Sequence, residues 1–448
     1  PDLLKSSTNL DAPTKEMSPF ILARSICKSY QTSRFPFPGP VHINCPFRET
    51  LDHTHEDQDN HWTQTAKKIL SHNRPASTYS QLEYSLSKKD NNYIQDLFSN
   101  SKSPLIVVGN LNPGNSISLV NEFIKNQKIP VVLDITSSLK TSYSLREGLI
   151  PSFDHQDVLE DIRKYNPDLI IHLGGPVVSK HYKNILTEFN NCNIININNS
   201  NFPYDFPDAS IFDTRLSIES FCNSFKDNRL ISRQKNDLKN NWSDMIQRKR
   251  HLIDNGPMSF PKLSKTILEK IPDNSYLYLG NSTTIRSFDY YVSENGNKNI
   301  TVFSHRGVSG IEGFIASAAG AKEHISAPLT LVLGDISFLH DLNSLHLIKQ
   351  VRGPFVIVVI NNFGGGIFNL LPINEDPSVC NIITTPHQLS FSKICQEFKI
   401  NTNKVDNTDD FTQCYHTSIN STSPSIIEVI LNESNDQEIY QKLKTINL

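Results

Sequence analysis

Leu331-Val-Leu-Gly-Asp-Ile-Ser337 decides the fold, answered further along the chain by Val358-Val-Ile-Asn-Asn-Phe-Gly-Gly-Gly366. Each is a short apolar run closed by turn-forming polar residues and glycine, the pattern of a strand buried on both faces in a parallel sheet. Open α/β sheets bind their ligands at the carboxyl ends of such strands. There the pair delivers the Asp335 carboxylate, the Asn362 side-chain oxygen and the Gly364 carbonyl. That oxygen set suits a hard divalent cation, Mg²⁺ with Mn²⁺ as an alternative, that also holds a diphosphate. The glycines at 364–366 let backbone approach the ligand without a Cβ clash.

Working outward, Gly280-Asn-Ser282 closes another strand just before a helix that starts near Thr283. Backbone N–H groups and a hydroxyl at a helix start form an anion site. Arg286 lies one helical turn beyond Ser282, and Arg306 stands in Ser304-His-Arg-Gly307. Guanidinium groups at a sheet edge can grip a carboxylate through two bonds, so an organic acid is the natural substrate class. Taken singly, Asp335 reads as a helix cap, Asn281 and Ser282 as ordinary cap residues, and the arginines as surface charge. Their convergence on one sheet edge favours a shared site.

The rest of the chain repeats strand–helix alternation in two sets. Leu105–Val108, Val131–Asp134, Leu169–Gly174 and Ile194–Ile197 are the strands of the first. Tyr276–Leu279, Thr301–Phe303, Leu329–Leu333, Phe355–Ile360 and Ser425–Leu431 are those of the second, with helices expected over Ile311–Ala321, Phe338–Gln350 and His387–Phe398. This spacing predicts an α/β protein with consecutive doubly wound parallel-sheet domains. The organisation reads as 1–48, the end of one domain; 49–100, a linker; 101–230, a central α/β domain; 231–265, a helical connector; and 266–448, the diphosphate- and Mg²⁺-binding α/β domain. In the first segment a helix (Pro19–Tyr30) and a strand-like stretch (Pro40–Pro46) look like the tail of a domain whose beginning lies outside the chain.

Composition narrows the function classes. The 448 residues carry Lys+Arg 43 against Asp+Glu 46, net charge −3, so there is no basic field for nucleic acid. No apolar run reaches the length of a membrane span. Seven scattered cysteines without C-x-x-C spacing point to reduced thiols and a cytoplasmic protein. Glycines near 108–115 and 173–176 do not form a G-x-G-x-x-G opening a helix, so they argue little for dinucleotide binding.

The residues now become specific. Gly334-Asp335 with Asn362 resembles the Mg²⁺–diphosphate motif of thiamine diphosphate (ThDP) enzymes. Arg306-Gly-Val-Ser-Gly-Ile-Glu-Gly313, Gly334-Asp-Ile-Ser-Phe-Leu-His-Asp-Leu-Asn343 and Ile367-Phe-Asn-Leu-Leu-Pro372 resemble the 2-succinyl-5-enolpyruvyl-6-hydroxy-3-cyclohexene-1-carboxylate synthase (MenD) family. Val41–Phe47 is similar to the end of that family's pyrimidine-binding domain. The resemblance implies the ThDP-enzyme fold, ThDP and Mg²⁺ as cofactors, and a homodimer or homotetramer. It implies decarboxylation of 2-oxoglutarate and 1,4-addition of the succinyl unit to isochorismate. By the same resemblance Asp335, Asn362 and Gly364 hold the metal. Gly280, Asn281, Ser282, Gly334, Ile336 and Ser337 lie along the cofactor, and Ile311, Ile367, Phe368 and Leu371 wall it with apolar surface. Arg286 and Arg306 take the substrate carboxylate, and Arg215 matches a basic substrate residue from the central domain.

There are departures. His305 replaces the usual Asn before Arg-Gly, and Phe363 replaces a small or polar residue. The family's activating glutamate, in the amino-terminal domain, has no counterpart in this chain; Glu49, Glu56 and Glu83 lie in linker-like sequence. The expectation is therefore an incomplete form that is unable to catalyse alone. The alternatives are another ThDP-dependent 2-oxo-acid decarboxylase or carboligase, of the acetolactate synthase kind, or a non-catalytic remnant.

Overall fold

The computed structural model describes residues 4–445 except 13, 15, 37, 48–59, 73, 81–83, 112–115, 143–148, 190, 199–205, 207–209, 215, 229, 231–237, 239–241, 291–297 and 371–376. The chain divides into two compact units. One is Pro1–Leu86 with Asn198–Asp205 and Arg215–Ser217; the other is Ser87–Ile197 with Phe206–Thr214 and Ile218–Leu448. In the first unit β1 (Ser6–Asn9) pairs in parallel with β2 (Val41–Asn44). The intervening helix, Pro19–Arg34, opens on proline, whose missing N–H has no partner at that position anyway.

The second unit contains two six-stranded sheets. β3 (Pro104–Val108), β4 (Val131–Leu133), β5 (Leu149–Ile150), β6 (Leu169–Leu173), β7 (Asn193–Ile197) and β8 (Ser210–Thr214) lie in the order β5-β4-β3-β6-β7-β8. β9 (Ser275–Leu279), β10 (Ile300–Ser304), β11 (Leu329–Gly334), β12 (Phe355–Asn361), β13 (Asn401–Val405) and β14 (Ser425–Ile430) lie in the order β10-β9-β11-β12-β14-β13. Every pairing in both sheets is parallel. The strand order turns back on itself between β9 and β11, which opens a crevice at their carboxyl ends. These are the consecutive doubly wound sheets that the strand–helix alternation predicts.

Packing explains why β11 and β12 are almost wholly apolar, with only Thr330 and the strand-end Asn361 polar. Alternate residues serve opposite faces. Leu277, Val332, Val358 and Ile360 pack with Phe288, Phe411 and Tyr415 on one side. Leu331, Leu333, Ile357 and Val359 pack with Phe314, Phe338 and Phe391 on the other. Both faces are covered, so neither strand has a polar stripe.

Three expected helices differ. The first runs Phe314–Lys322, not from Ile311, because Gly313 before it sits at φ 76, a left-handed position that an α-helix cannot include. Its cap has no side-chain acceptor; instead Asp341 takes the Ile315 and Ala316 N–H groups at 2.5 and 3.2 Å. The second is broken into Asp335–His340, Leu342–Ser344 and Leu345–Ile348, with Asp341 at the break also accepting from the Ser344 hydroxyl at 2.6 Å. The third begins at Ser392, since the preceding residues are engaged elsewhere, as described below. Among the described residues no helix is long and apolar enough to cross a membrane.

The two sheets are tied by a buried ion pair. Lys140, 2 % exposed, donates to the Asp289 carboxylate at 2.8 Å and to its carbonyl oxygen. The same carboxylate accepts from Ile135 N–H at 2.8 Å and the Ser152 hydroxyl at 2.9 Å. Removing one member of such a pair strands the other charge in the interior, at a cost of about 3–5 kcal/mol. Lys140→Met is therefore expected to lower the denaturant midpoint strongly, whereas the exposed-pair variant Arg163→Met (Arg163 bonds Glu188 at 2.7 Å at the surface) should scarcely move it.

Candidate active site

β9, β11 and β12 are neighbours, and Gly334 pairs in register with Ile360. Asp335 and Asn362 therefore stand just beyond the ends of adjacent strands. Asp335 is 2 % exposed. Its Oδ1 accepts from Ile336 N–H at 2.7 Å, and its Oδ2 accepts from Gly364 N–H at 2.9 Å. Burial pushes its carboxyl up from the usual range, against the pull of those two bonds and of His387. A buried carboxylate held in this way is short of positive charge.

The turn after β12 is built for close approach. Phe363 takes a left-handed φ of 64, and Gly364 has φ 151, where a Cβ would lie 2.8 Å from the Thr384 carbonyl oxygen. A Cβ at Gly366 would collide with the Asn362 amide. Gly365 N–H donates to Thr384 at 2.6 Å, and His387 N–H donates to the Phe363 carbonyl at 3.1 Å. Segment 384–387 thus backs the turn from outside. At Gly334 a Cβ would point into open space, leaving room at the strand end. Gly280 has a different reason: a Cβ there would sit 3.1 Å from Leu333, so β9 and β11 could not approach as they do.

Ser282, at φ 67, precedes the helix Thr283–Tyr290, and its carbonyl accepts from Arg286 at 2.7 Å. Asn281 is buried and its amide is spent within the protein. It donates to the His305 and Gly310 carbonyls at 2.9 and 2.6 Å and accepts from Arg306 at 3.1 Å. Tyr278 O–H pairs with His305, whose ring stacks on Phe314 at 4.6 Å, so the residue preceding Arg306 is fixed by aromatic packing. Among the described residues neither Arg286 nor Arg306 has a carboxylate within ion-pair distance. Burial lowers both guanidinium pKa values, and for Arg286 the charge of Arg306 lowers it further. The two half-buried cations thus repel one another, and their bonds among the described residues go to neutral oxygens, of Ser282 and Asn281.

The structure brings Asp335 to Gly364, Ser282 to Arg286 and Asn281 to Arg306. Ile311, Ile336, Ile367 and Phe368 are half-buried, and Ser337 is buried. Arg215 and Leu371 lie outside the described residues, as do Glu49, Glu56 and Glu83. Sequence reading missed His387. Its Nδ1 accepts from Leu389 N–H at 3.2 Å, which leaves the ring proton on Nε2, 3.3 Å from Asp335 Oδ2. That contact is close enough for charge attraction but is not aligned as a hydrogen bond, so a buried N–H faces the site with no hydrogen-bond acceptor. It also missed Glu428, a carboxylate inside an apolar strand, although a charge in such a run signals a buried partner.

Residues 284–429 match the family described as "Thiamine pyrophosphate enzyme, C-terminal TPP binding domain". A 4-hydroxybenzoylformate decarboxylase of Rhodococcus jostii, described as thiamine diphosphate-dependent, superimposes with a TM-score of 0.65 at 16 % identity, over 96 % of this chain and 76 % of its own. The fold is that of the thiamine diphosphate enzymes. The 2-succinyl-5-enolpyruvyl-6-hydroxy-3-cyclohexene-1-carboxylate synthase of Syntrophus aciditrophicus is 31 % identical over 92 % of this chain and 72 % of its own length. That of Prosthecochloris aestuarii is 28 % identical over 98 % and 75 %. The chain belongs to the 2-succinyl-5-enolpyruvyl-6-hydroxy-3-cyclohexene-1-carboxylate synthase family, and spans about three quarters of the length of these relatives.

Proposed function

We propose that the chain serves a ThDP- and Mg²⁺-dependent transferase that decarboxylates 2-oxoglutarate and adds the succinyl unit 1,4 to isochorismate, a step toward menaquinone or phylloquinone. The observation that carries this reading is the Asp335 carboxylate bonded to the Gly364 turn at adjacent strand ends, on the sheet edge that also bears two guanidinium groups without carboxylate partners among the described residues. The residues fit the implied cofactor. A buried carboxylate, an amide oxygen and a backbone carbonyl are hard oxygen donors for Mg²⁺. His387 Nε2 lies 3.3 Å from the same carboxylate.

In this reading Asp335, Asn362 and the Gly364 carbonyl hold Mg²⁺. Gly280, Asn281, Ser282, Gly334, Ile336 and Ser337 line the diphosphate, with Asn281 acting through the loop it organises. Bound ThDP supplies the electron sink that lets CO₂ leave a 2-oxo acid. Ile311, Ile367, Phe368 and Leu371 exclude water from the reacting end. Arg286 and Arg306 hold the distal carboxylate of the dicarboxylic substrate, and Arg215 reads the second substrate. Segment 266–448 is the diphosphate-binding domain and 101–230 the central one, joined by the connector 231–265, in a homodimer or homotetramer.

The test is CO₂ release from 2-oxoglutarate and from pyruvate, with product formed on adding isochorismate. Strong preference for 2-oxoglutarate is expected; equal release from pyruvate overturns the substrate reading.

A further inference from the structure

Glu428 lies in the middle of β14, in Ser425-Ile-Ile-Glu-Val-Ile430, and is fully buried. A carboxylate is kept in such a place only when several donors satisfy it. Four do. Its Oε1 accepts from the Asn361 amide at 2.8 Å. Its Oε2 accepts from the Ser390 hydroxyl at 3.2 Å, Phe391 N–H at 3.1 Å and Ser392 N–H at 3.2 Å.

The Asn361 amide has a second life. Its N–H₂ also reaches the Leu389 carbonyl at 3.0 Å, and its Oδ1 accepts from Phe363 N–H at 3.2 Å. Phe363 is the left-handed residue that begins the glycine turn; its carbonyl takes His387 N–H, and the next N–H, that of Gly364, donates to Asp335. Glu428 therefore grips both ends of one assembly: Asn361 under the turn, and segment 389–392, whose neighbour His387 backs the turn. Glu428 and the Leu389 carbonyl are the two acceptors that dictate which way the Asn361 amide faces; without the charged one, only a neutral bond opposes an inverted amide, which would turn N–H₂ against Phe363 N–H.

We infer that Glu428 is a positioning residue for the proposed metal–diphosphate site: acting through Asn361, it locks the Phe363–Gly364 turn in the orientation that presents Gly364 to Asp335. The inference rests on the functional reading above for its purpose, but its structural half can be measured without any ligand. A charged acceptor suits the task, because hydrogen bonds to an ionised group are roughly twice as strong as neutral ones. The bonds of Glu428 go to Asn361, Ser390, Phe391 and Ser392, none of them a proposed ligand of the metal.

The experiment is amide hydrogen exchange on the ligand-free full chain, paired with calorimetric titration of Mg²⁺ in the presence of ThDP. Two variants are used. Glu428→Gln keeps the size and turns an N–H₂ toward one set of donors. Asn361→Ala cuts the link to the turn but leaves the bonds of Glu428 to Ser390, Phe391 and Ser392, so it serves even if the first variant fails to fold. In both, exchange at Phe363 and Gly364 is expected to rise about tenfold, the worth of roughly one net hydrogen bond. In Asn361→Ala, Phe391 and Ser392 should keep their wild-type protection, which separates positioning of the turn from support of the following helix. Mg²⁺ affinity should fall about 10- to 100-fold, as when groups behind metal ligands are lost. Wild-type exchange at Phe363 and Gly364 in the folded variants overturns the inference while leaving the functional reading intact. Failure of the wild-type chain to take up Mg²⁺ and ThDP counts against the functional reading, and the exchange result still decides whether Glu428 fixes the turn.

Discussion

Asp335→Ala is expected to abolish Mg²⁺-supported ThDP binding, with a loss beyond the roughly 100-fold that marks the top of the range for groups merely supporting a metal ligand. Among the described residues Asp335 is the carboxylate that bonds the glycine turn, at 2.9 Å from Gly364 N, and burial already disfavours its charge in the absence of a cation. The same fact predicts an opposite effect on stability. A buried carboxylate whose pKa is raised destabilises the ligand-free fold at neutral pH, because the folded chain must hold a charge that the unfolded chain carries freely in water. Asp335→Asn, which keeps an acceptor oxygen for Gly364 or Ile336, should hold or raise the melting temperature of the ligand-free protein while losing Mg²⁺. Calorimetric titration and a thermal scan on one sample check both. Undiminished ThDP affinity in the alanine variant removes Asp335 from the metal site.

Arg306→Ala is the second large effect, and it should separate substrate from cofactor. Arg306 is held by Asn281 at 3.1 Å, on a loop that Asn281 also pins through the His305 and Gly310 carbonyls. Its guanidinium is half-buried and, with Arg286 nearby, carries charge that no described carboxylate neutralises at contact distance. Losing a charged hydrogen bond to a bound carboxylate costs about 2–3 kcal/mol, or roughly 30- to 150-fold in kcat/KM for 2-oxoglutarate. ThDP affinity should stay within a few-fold of wild type. A parallel loss for pyruvate would mean that Arg306 serves the cofactor or the fold, not the distal carboxylate.

The strands that carry the site were legible because each is an apolar run cut off by glycine, asparagine or aspartate. β11 and β12 are buried on both faces, so apart from Thr330, whose hydroxyl pairs with that of Tyr415, nothing polar interrupts them until the strand ends. Two of the edge strands, β13 and β8, were not legible for the converse reason, whereas the edge strand β10 was. β13 is Asn-Thr-Asn-Lys-Val and β8 is Ser-Ile-Phe-Asp-Thr; half-exposed at the sheet margin, they lack the apolar run that betrays a central strand. Helix starts were misplaced where tertiary contacts override periodicity. Residues 387–391 have helical spacing, but His387 N–H is drawn to Phe363 and Leu389 accepts from Asn361, so the helix waits until Ser392.

Within the site, Asp335, Asn362 and Gly364 were visible as residue types at strand ends. Asn281 was visible as well, but not what its amide does, since its partners at 305, 306 and 310 follow another strand. His387 and Glu428 were hidden because their role depends on long-range pairing: Asp335 and Phe363 for the one, Asn361 and Ser390–Ser392 for the other. A strand glutamate among isoleucines announces a buried acceptor. Only the fold says which donors it serves.

The central claim is that the ends of β11 and β12 hold a diphosphate through a divalent cation. Titrating the chain with ThDP in Mg²⁺ and again in excess chelator tests it most directly. Saturable binding that disappears with the metal and returns when Mg²⁺ is restored is the predicted result; equal ThDP affinity in chelator would contradict it.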